Sequence, residues 1–115
     1  EFYILDNTNP EADPLPILGS RDIGSVPAGG SVNNITVRDS LAFLITTGGQ
    51  FQTLNISNPG SITPVSSITL PGTSGVNLTG ADIACEDNNM YVGSAKEEAV
   101  PGDSIGFITV ITPGP

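Results

Sequence analysis

The residues that could do chemistry are mostly carboxylates: twelve Asp and Glu stand against three Lys and Arg, with no His and one Cys. Without His, neither a Ser-His-Asp nor a Cys-His nucleophile system can be built. One Cys also excludes an intrachain disulfide and a zinc site made from Cys and His ligands. A net charge of −9 argues against nucleic-acid binding, because three cations cannot neutralise a phosphate backbone.

Two oxygen-rich stretches, residues 6–13 and 86–89, are the candidates for a metal site. Calcium takes six to eight oxygen ligands, and Asp6, Asn9 and Asp13 are the candidate ligands for it. Neither stretch has the spacing of an EF-hand loop, so a capped, solvated turn is the favoured interpretation. We expect no resident cofactor.

Catalysis by paired carboxylates requires two acids that converge about 5 Å or about 6.5–9.5 Å apart. The acids of this chain lie in turns, so we expect a protein that is not an enzyme. Cys85 is expected to be a small buried apolar side chain, equivalent to Val37. A reactive thiol would need a nearby cation, and none is evident.

The elements that position these residues are strands. Helix signals are nearly absent, since Gly or Pro interrupts the chain about every ten residues and β-branched residues fill the gaps. Short connectors at Arg38–Ser40, Glu86–Asn88 and Gly48-Gly49 predict tight turns between neighbouring strands. The pattern predicts an all-β fold of mostly antiparallel strands without significant helix.

The chain also repeats itself with a period of about 48 residues. An aromatic-led strand that runs into a Ser/Thr-Asn-Pro turn occurs twice, and an Ile-led strand with its hairpin partner also occurs twice. A weaker third copy of the first strand covers Phe107–Pro113. The aligned pairs are residues 2–10 with 51–59, 16–18 with 64–66, and 35–44 with 83–92. One unit therefore holds four strands, a period typical of a β-propeller blade.

The motifs Phe2-Tyr3-Ile4-Leu5-Asp6-x-x-Asn9-Pro10 and Ile35-Thr36-Val37-x-x-x-Leu41-Ala42-Phe43-Leu44 resemble the LVIVD repeat family. The resemblance implies a β-propeller on a bacterial or archaeal cell surface. It gives a single module of about two four-stranded blades: repeat one at 2–50, repeat two at 51–106 and a terminal strand at 107–111. A β-sandwich that borrows the repeat pattern is the alternative fold.

One blade cannot bury both faces of its sheet, so partners are expected. Either the chain self-associates into a ring or filament, or it is part of a longer propeller. The first and last strands are copies of each other, and their edges could pair with other strands. The partner-edge residues are Phe2, Tyr3, Ile4, Leu5, Phe107, Ile108 and Val110.

Low charge and many Ser, Thr and Asn favour an extracellular or cell-surface location, and no apolar run is long enough to insert into a membrane.

We expect a structural or adhesive module, such as a pilus-associated component or filament subunit. The alternative is a ligand- or carbohydrate-binding propeller fragment that uses the loops 6–13 and 94–104. Candidate contacts in the second loop are Lys96, Glu97, Glu98 and Asp103; the N-glycosylation acceptor pattern occurs at Asn34, Asn55 and Asn77.

Overall fold

The computed structural model describes residues 2–23, 32–70, 78–97 and 104–112. These residues form strands and turns without helix, so the all-β prediction is confirmed. The nine strands are β1 (Phe2–Leu5), β2 (Ile17–Arg21), β3 (Val32–Arg38), β4 (Leu41–Thr46), β5 (Gln50–Asn55), β6 (Thr63–Thr69), β7 (Leu78–Glu86), β8 (Asn89–Glu97) and β9 (Ser104–Ile111).

The strands form three antiparallel sheets: β1-β2, then β3-β4-β5-β6, then β7-β8-β9. The four-stranded sheet thus joins the last two strands of repeat one to the first two of repeat two. Loop length does not explain this grouping, because the connections 6–16 and 56–62, of eleven and seven residues, join strands that pair with each other. The connections 22–31 and 70–77, of ten and eight residues, separate the sheets.

The predicted tight turns are present at all three positions. Asp39 and Asp87 adopt φ of 53°, and each is the first residue of a two-residue hairpin loop. Asp tolerates this left-handed conformation better than most residues do. Gly49 has φ of 78° in the turn between β4 and β5, where it donates to the Thr46 carbonyl over 3.0 Å.

The strand registers show that the repeat is structural. A β-bulge interrupts the β1/β2 pairing between Ile4 and Leu5, and another interrupts β5/β6 between Thr53 and Leu54. These are equivalent positions, 49 residues apart. Phe2 pairs with Arg21 and Phe51 pairs with Ile68. The second strand of each pair therefore aligns at an offset of 47, one residue from the offset that the sequence suggests.

The four-stranded sheet β3-β4-β5-β6, which we call the middle sheet, is covered on both faces because its central strands are apolar on both sides. Ala42, Leu44 and Leu54 pack in a cluster with Phe2 and Ile62, between the first and second sheets. The neighbouring side chains point the other way, as alternation requires. Ile45 and Phe51 thus belong to a second cluster, with the third-sheet residues Ile83, Met90 and Val92.

Polar side chains also join neighbouring sheets. Arg21 Nη1 of the first sheet donates to the Ile62 carbonyl over 3.0 Å. Asn34 of β3 donates its amide to the Asp82 carboxylate of β7, and these two residues occupy equivalent positions in successive repeats. Equivalent residues can touch in this way only close to the axis that relates the repeats. β3 and β7 are therefore the inner strands, and β6, exposed along its whole length, is an outer strand.

We predict that Gly19→Ala destabilises the protein by about 1–3 kcal/mol, the usual cost of overpacking. A Cβ at Gly19 would lie 1.7 Å from the Pro59 carbonyl oxygen, so the first sheet and the turn after β5 would have to separate. Gly93→Ala is the matched control, because a Cβ there meets nothing within 4 Å. Thermal unfolding of both variants tests this; equal midpoints would contradict the close approach.

Candidate functional site

The oxygen-rich stretch 6–13 is a capped turn. The Asp6 carboxylate accepts the Thr8 N–H at 2.8 Å, and the Asn9 side-chain oxygen accepts the Glu11 N–H at 3.3 Å. Ala12 N–H donates to the Asn9 carbonyl at 3.1 Å. These bonds are the local side-chain-to-backbone contacts that Asp and Asn commonly form in turns.

The second repeat builds the same turn bond for bond. Asn55 accepts the Ser57 N–H at 2.9 Å, Asn58 accepts the Gly60 N–H at 3.1 Å, and Ser61 N–H donates to the Asn58 carbonyl at 2.9 Å. Asn55 stands where the first repeat has Asp6, so the turn does not require a charged group. In the part of the chain that the structure describes, no three His, Cys, Asp or Glu side chains group together to hold a metal ion.

Two of the predicted loop contacts lie on a strand. Lys96 and Glu97 are at the end of β8, because β8 and β9 continue their pairing as far as Glu97 and Ser104. The predicted loop 94–104 is correspondingly shorter, and Glu98 and Asp103 lie outside the described residues. Of the glycosylation positions, the Asn34 amide donates to Asp82, Asn55 caps its turn, and Asn77 lies outside the described residues.

The predicted partner strands, β1 and β9, are both at sheet edges: β1 pairs only with β2, and β9 only with β8, among the described strands. Their side chains divide between two faces. Phe2 is buried and Ile4 half-buried against the middle sheet, whereas Tyr3 and Leu5 are 49% and 47% exposed. Ile108 and Val110 are 75% and 52% exposed.

Two outer faces result. The outer face of the first sheet consists of Tyr3, Leu5 and Ile17, the last paired with Leu5. The outer face of the third sheet includes Tyr91, Ile108 and Val110, with Tyr91 paired to Val110 on one side and to the exposed Ala84 of β7 on the other. Glu86, two residues along β7 and also exposed, lies on the same face.

Pairing registers relate each outer face to a covered face of the middle sheet. Tyr3 and Leu5 are equivalent to Gln52 and Leu54, which the first sheet covers. Ile108 and Val110 are equivalent to Phe51 and Thr53. The registers show this, because Ile45 pairs with Phe51, and Gly93, which is the counterpart of Ile45 in the next repeat, pairs with Ile108. Each outer face thus repeats a surface that is buried elsewhere in the same molecule.

A groove of about 620 Å³ lies between the middle and third sheets. It runs from β6, which contributes Val65, Ser66 and Ile68, to the end of β9 at Ile111 and Thr112. Phe43 and Phe51 line its inner wall, with their ring centroids 6.0 Å apart. The groove is mostly apolar, and we call it the β6–β9 groove.

Arg38 and Cys85 lie at one end of this groove. Arg38 Nη1 is 3.1 Å from the Cys85 sulfur and also donates to the Asp87 carbonyl. The expectation that Cys85 has no cation beside it is therefore wrong. Arg38 is 47 residues away in sequence, and only the packing of β3 on β7 brings it close. The hydrogen bond to Cys85 raises the pKa of Arg38, and the charges of Asp39 and Asp87 act in the same direction.

Comparison with known protein families, curated proteins and solved structures finds no match to this chain. Over the described ranges, no helix is long and apolar enough to cross a membrane.

We predict that the turn capped by Asp6 makes stability depend on pH at the acid end. The Thr8 N–H first, and the Thr8 hydroxyl second, lower the pKa of Asp6 from 3.8. Folding therefore favours the carboxylate: the contribution is present above the unfolded pKa and is lost as pH falls through the folded pKa, below 3.8. Asp6→Asn keeps the acceptor oxygen, as Asn55 does, but removes the titration.

Urea unfolding at pH 6 and at pH 2.5 checks this. Wild type should lose more stability than Asp6→Asn between the two conditions, and the other carboxylates affect both proteins alike. The same pH slope in both proteins would show that Asp6 is not stabilised in its charged form.

Proposed function

We propose that this protein is a non-enzymatic structural module that works as one section of a larger stack of β-sheets. The observation that carries the proposal is the equivalence of covered and uncovered faces. The middle sheet is covered on both sides, while the equivalent faces of the first and third sheets are exposed and carry large apolar side chains. A sheet of the same type from another copy, or from the rest of a longer polypeptide, would cover them.

The chemistry of the two faces supports this. The outward-facing residues named on β1, β2, β8 and β9 carry no charge, in a chain whose net charge is −9, and Glu86 of the third sheet lies on β7, at the opposite edge of the sheet from β9. Large exposed aliphatic side chains on an otherwise anionic protein favour burial against another apolar surface. Contacts of this kind are heterologous, since the two faces differ, and heterologous contacts form rings or filaments.

Location and role follow from the same features. A chain kept soluble by Ser, Thr and Asn, with LVIVD-like repeats, fits a surface or pilus-associated component. Its task there would be structural or adhesive, because each copy would extend the stack of sheets and expose the edges of β1 and β9. Nothing in this role requires a cofactor or a catalytic group.

We predict that two face variants complement each other. Tyr3→Lys with Leu5→Lys disables the outer face of the first sheet, and Ile108→Lys with Val110→Lys disables that of the third. Each lost apolar contact contributes about 1.5–3 kcal/mol, so each variant should weaken the wild-type self-association at least about 100-fold. A mixture retains one intact interface and should form heterodimers that grow no further.

Sedimentation velocity at 0.15 M salt measures this, with electron micrographs of the wild type as a direct view of rings or filaments. Val37→Lys is the control, because Val37 is 55% exposed but lies on the inner strand β3, away from both outer faces. A wild type that stays monomeric at every concentration, or a mixture of the two variants that forms no heterodimer, would contradict assembly through these faces by copies of this chain.

A further inference from the structure

We infer that the β6–β9 groove is the seat of a repeat-type segment: an Asn-Pro turn followed by a strand that adds to the free edge of β9. The inference rests on the proposed function, because it names the chemical class of partner that the stack would supply there. In this chain, residues 56–69 are the example of such a segment.

The equivalent space between the first and middle sheets is filled by residues of this chain. There, Ile56 and Ile62 pack in the apolar cluster with Ile4 and Leu54. The Pro59 carbonyl approaches Gly19, and Arg21 holds the Ile62 carbonyl. The turn after β5 therefore occupies the room between β2 and the middle sheet.

The walls of the β6–β9 groove are equivalent to the walls of that space. On one side, pairing makes Thr53 the counterpart of Ile4, and Ser66 the counterpart of Gly19. On the other side, Met90 and Ile111 pair as their counterparts Ala42 and Leu54 do. The same two walls thus face each other, and here they enclose the groove of about 620 Å³.

The backbone of β9 offers a pairing edge beside the groove. β9 is paired on one side by β8 alone among the described strands, so its other edge presents N–H and C=O groups to a further strand. In the middle sheet that position beside β5 is filled by β6. A bound segment would therefore pair its backbone with β9 and insert an apolar side chain into the groove at the same time, as in β-augmentation.

One difference separates the two seats. Ser66 has a Cβ where Gly19 has none, and a Cβ at Gly19 would lie 1.7 Å from the turn carbonyl. A turn seated in the groove must consequently sit farther from β6 than Pro59 sits from β2. The side chains Val65 and Ile68, which are 58% and 44% exposed, are available to fill the added width.

The test uses the full chain and a synthetic peptide with the sequence of residues 56–69. Cys85 lines the groove and is the only cysteine of the chain, so its rate of alkylation by iodoacetamide reports occupancy. Saturating peptide should slow alkylation at least about fivefold. The same peptide with Ile56→Asp and Ile62→Asp should give no protection, because charged side chains cannot fill an apolar seat.

Protein variants provide the matched pair. Ile68→Glu, in the groove, should abolish protection by the peptide, whereas Ile17→Glu, on the outer face of the first sheet, should leave it unchanged. No protection at millimolar peptide, or equal protection by the doubly substituted peptide, would overturn the inference. So would protection that rises with protein concentration alone and is lost in Tyr3→Lys with Leu5→Lys, since the occupant would then be the first sheet of a second copy.

The two proposals fail separately. Heterodimer formation between the face variants without peptide protection would remove the groove assignment and leave the stacking role intact. Peptide protection without heterodimers would retain the groove as a strand site, and would remove self-assembly through the outer faces.

Discussion

Everything in this structure depends on one constraint: a sheet that is apolar on both faces must be covered on both faces. β4 alternates Ala42 and Leu44 toward the first sheet with Phe43 and Ile45 toward the third. A two-layer fold could bury only one of these sets. The molecule therefore builds outward in layers, and its radius of gyration of 15.5 Å exceeds the roughly 13 Å of a compact chain of this length.

The turns after β1 and β5 make this layered arrangement regular. The turns capped by Asp6 and Asn55 have the same hydrogen bonds, and the β-bulges in the β1/β2 and β5/β6 pairings fall at equivalent positions. The chain thus leaves β1 and β5 at equivalent residues. At the inner edge the hydrogen bond between Asn34 and Asp82 holds equivalent strands together, so the axis that relates the repeats lies close to these residues.

Much of the fold could be predicted from the sequence because its signals are local. Strand runs, hairpin turns at Asp39 and Asp87, and the repeat period all read directly from residue types. The grouping into sheets of two, four and three strands could not be predicted, because it depends on which connections join strands of one sheet and which cross to the next sheet. Of the site, the edges of β1 and β9 were predictable. The groove and the Arg38–Cys85 contact were not, because residues about 47 positions apart form them.

Amide hydrogen exchange at increasing protein concentration tests the central claim most directly, because it reports each strand separately. We expect β4 and β5, which are covered on both faces, to be the slowest to exchange and to show no dependence on concentration. Strands β1 and β9 should gain protection as concentration rises and their faces become covered. Protection that is independent of concentration throughout, or that is no higher in β4 and β5 than in the outer sheets, would contradict the account.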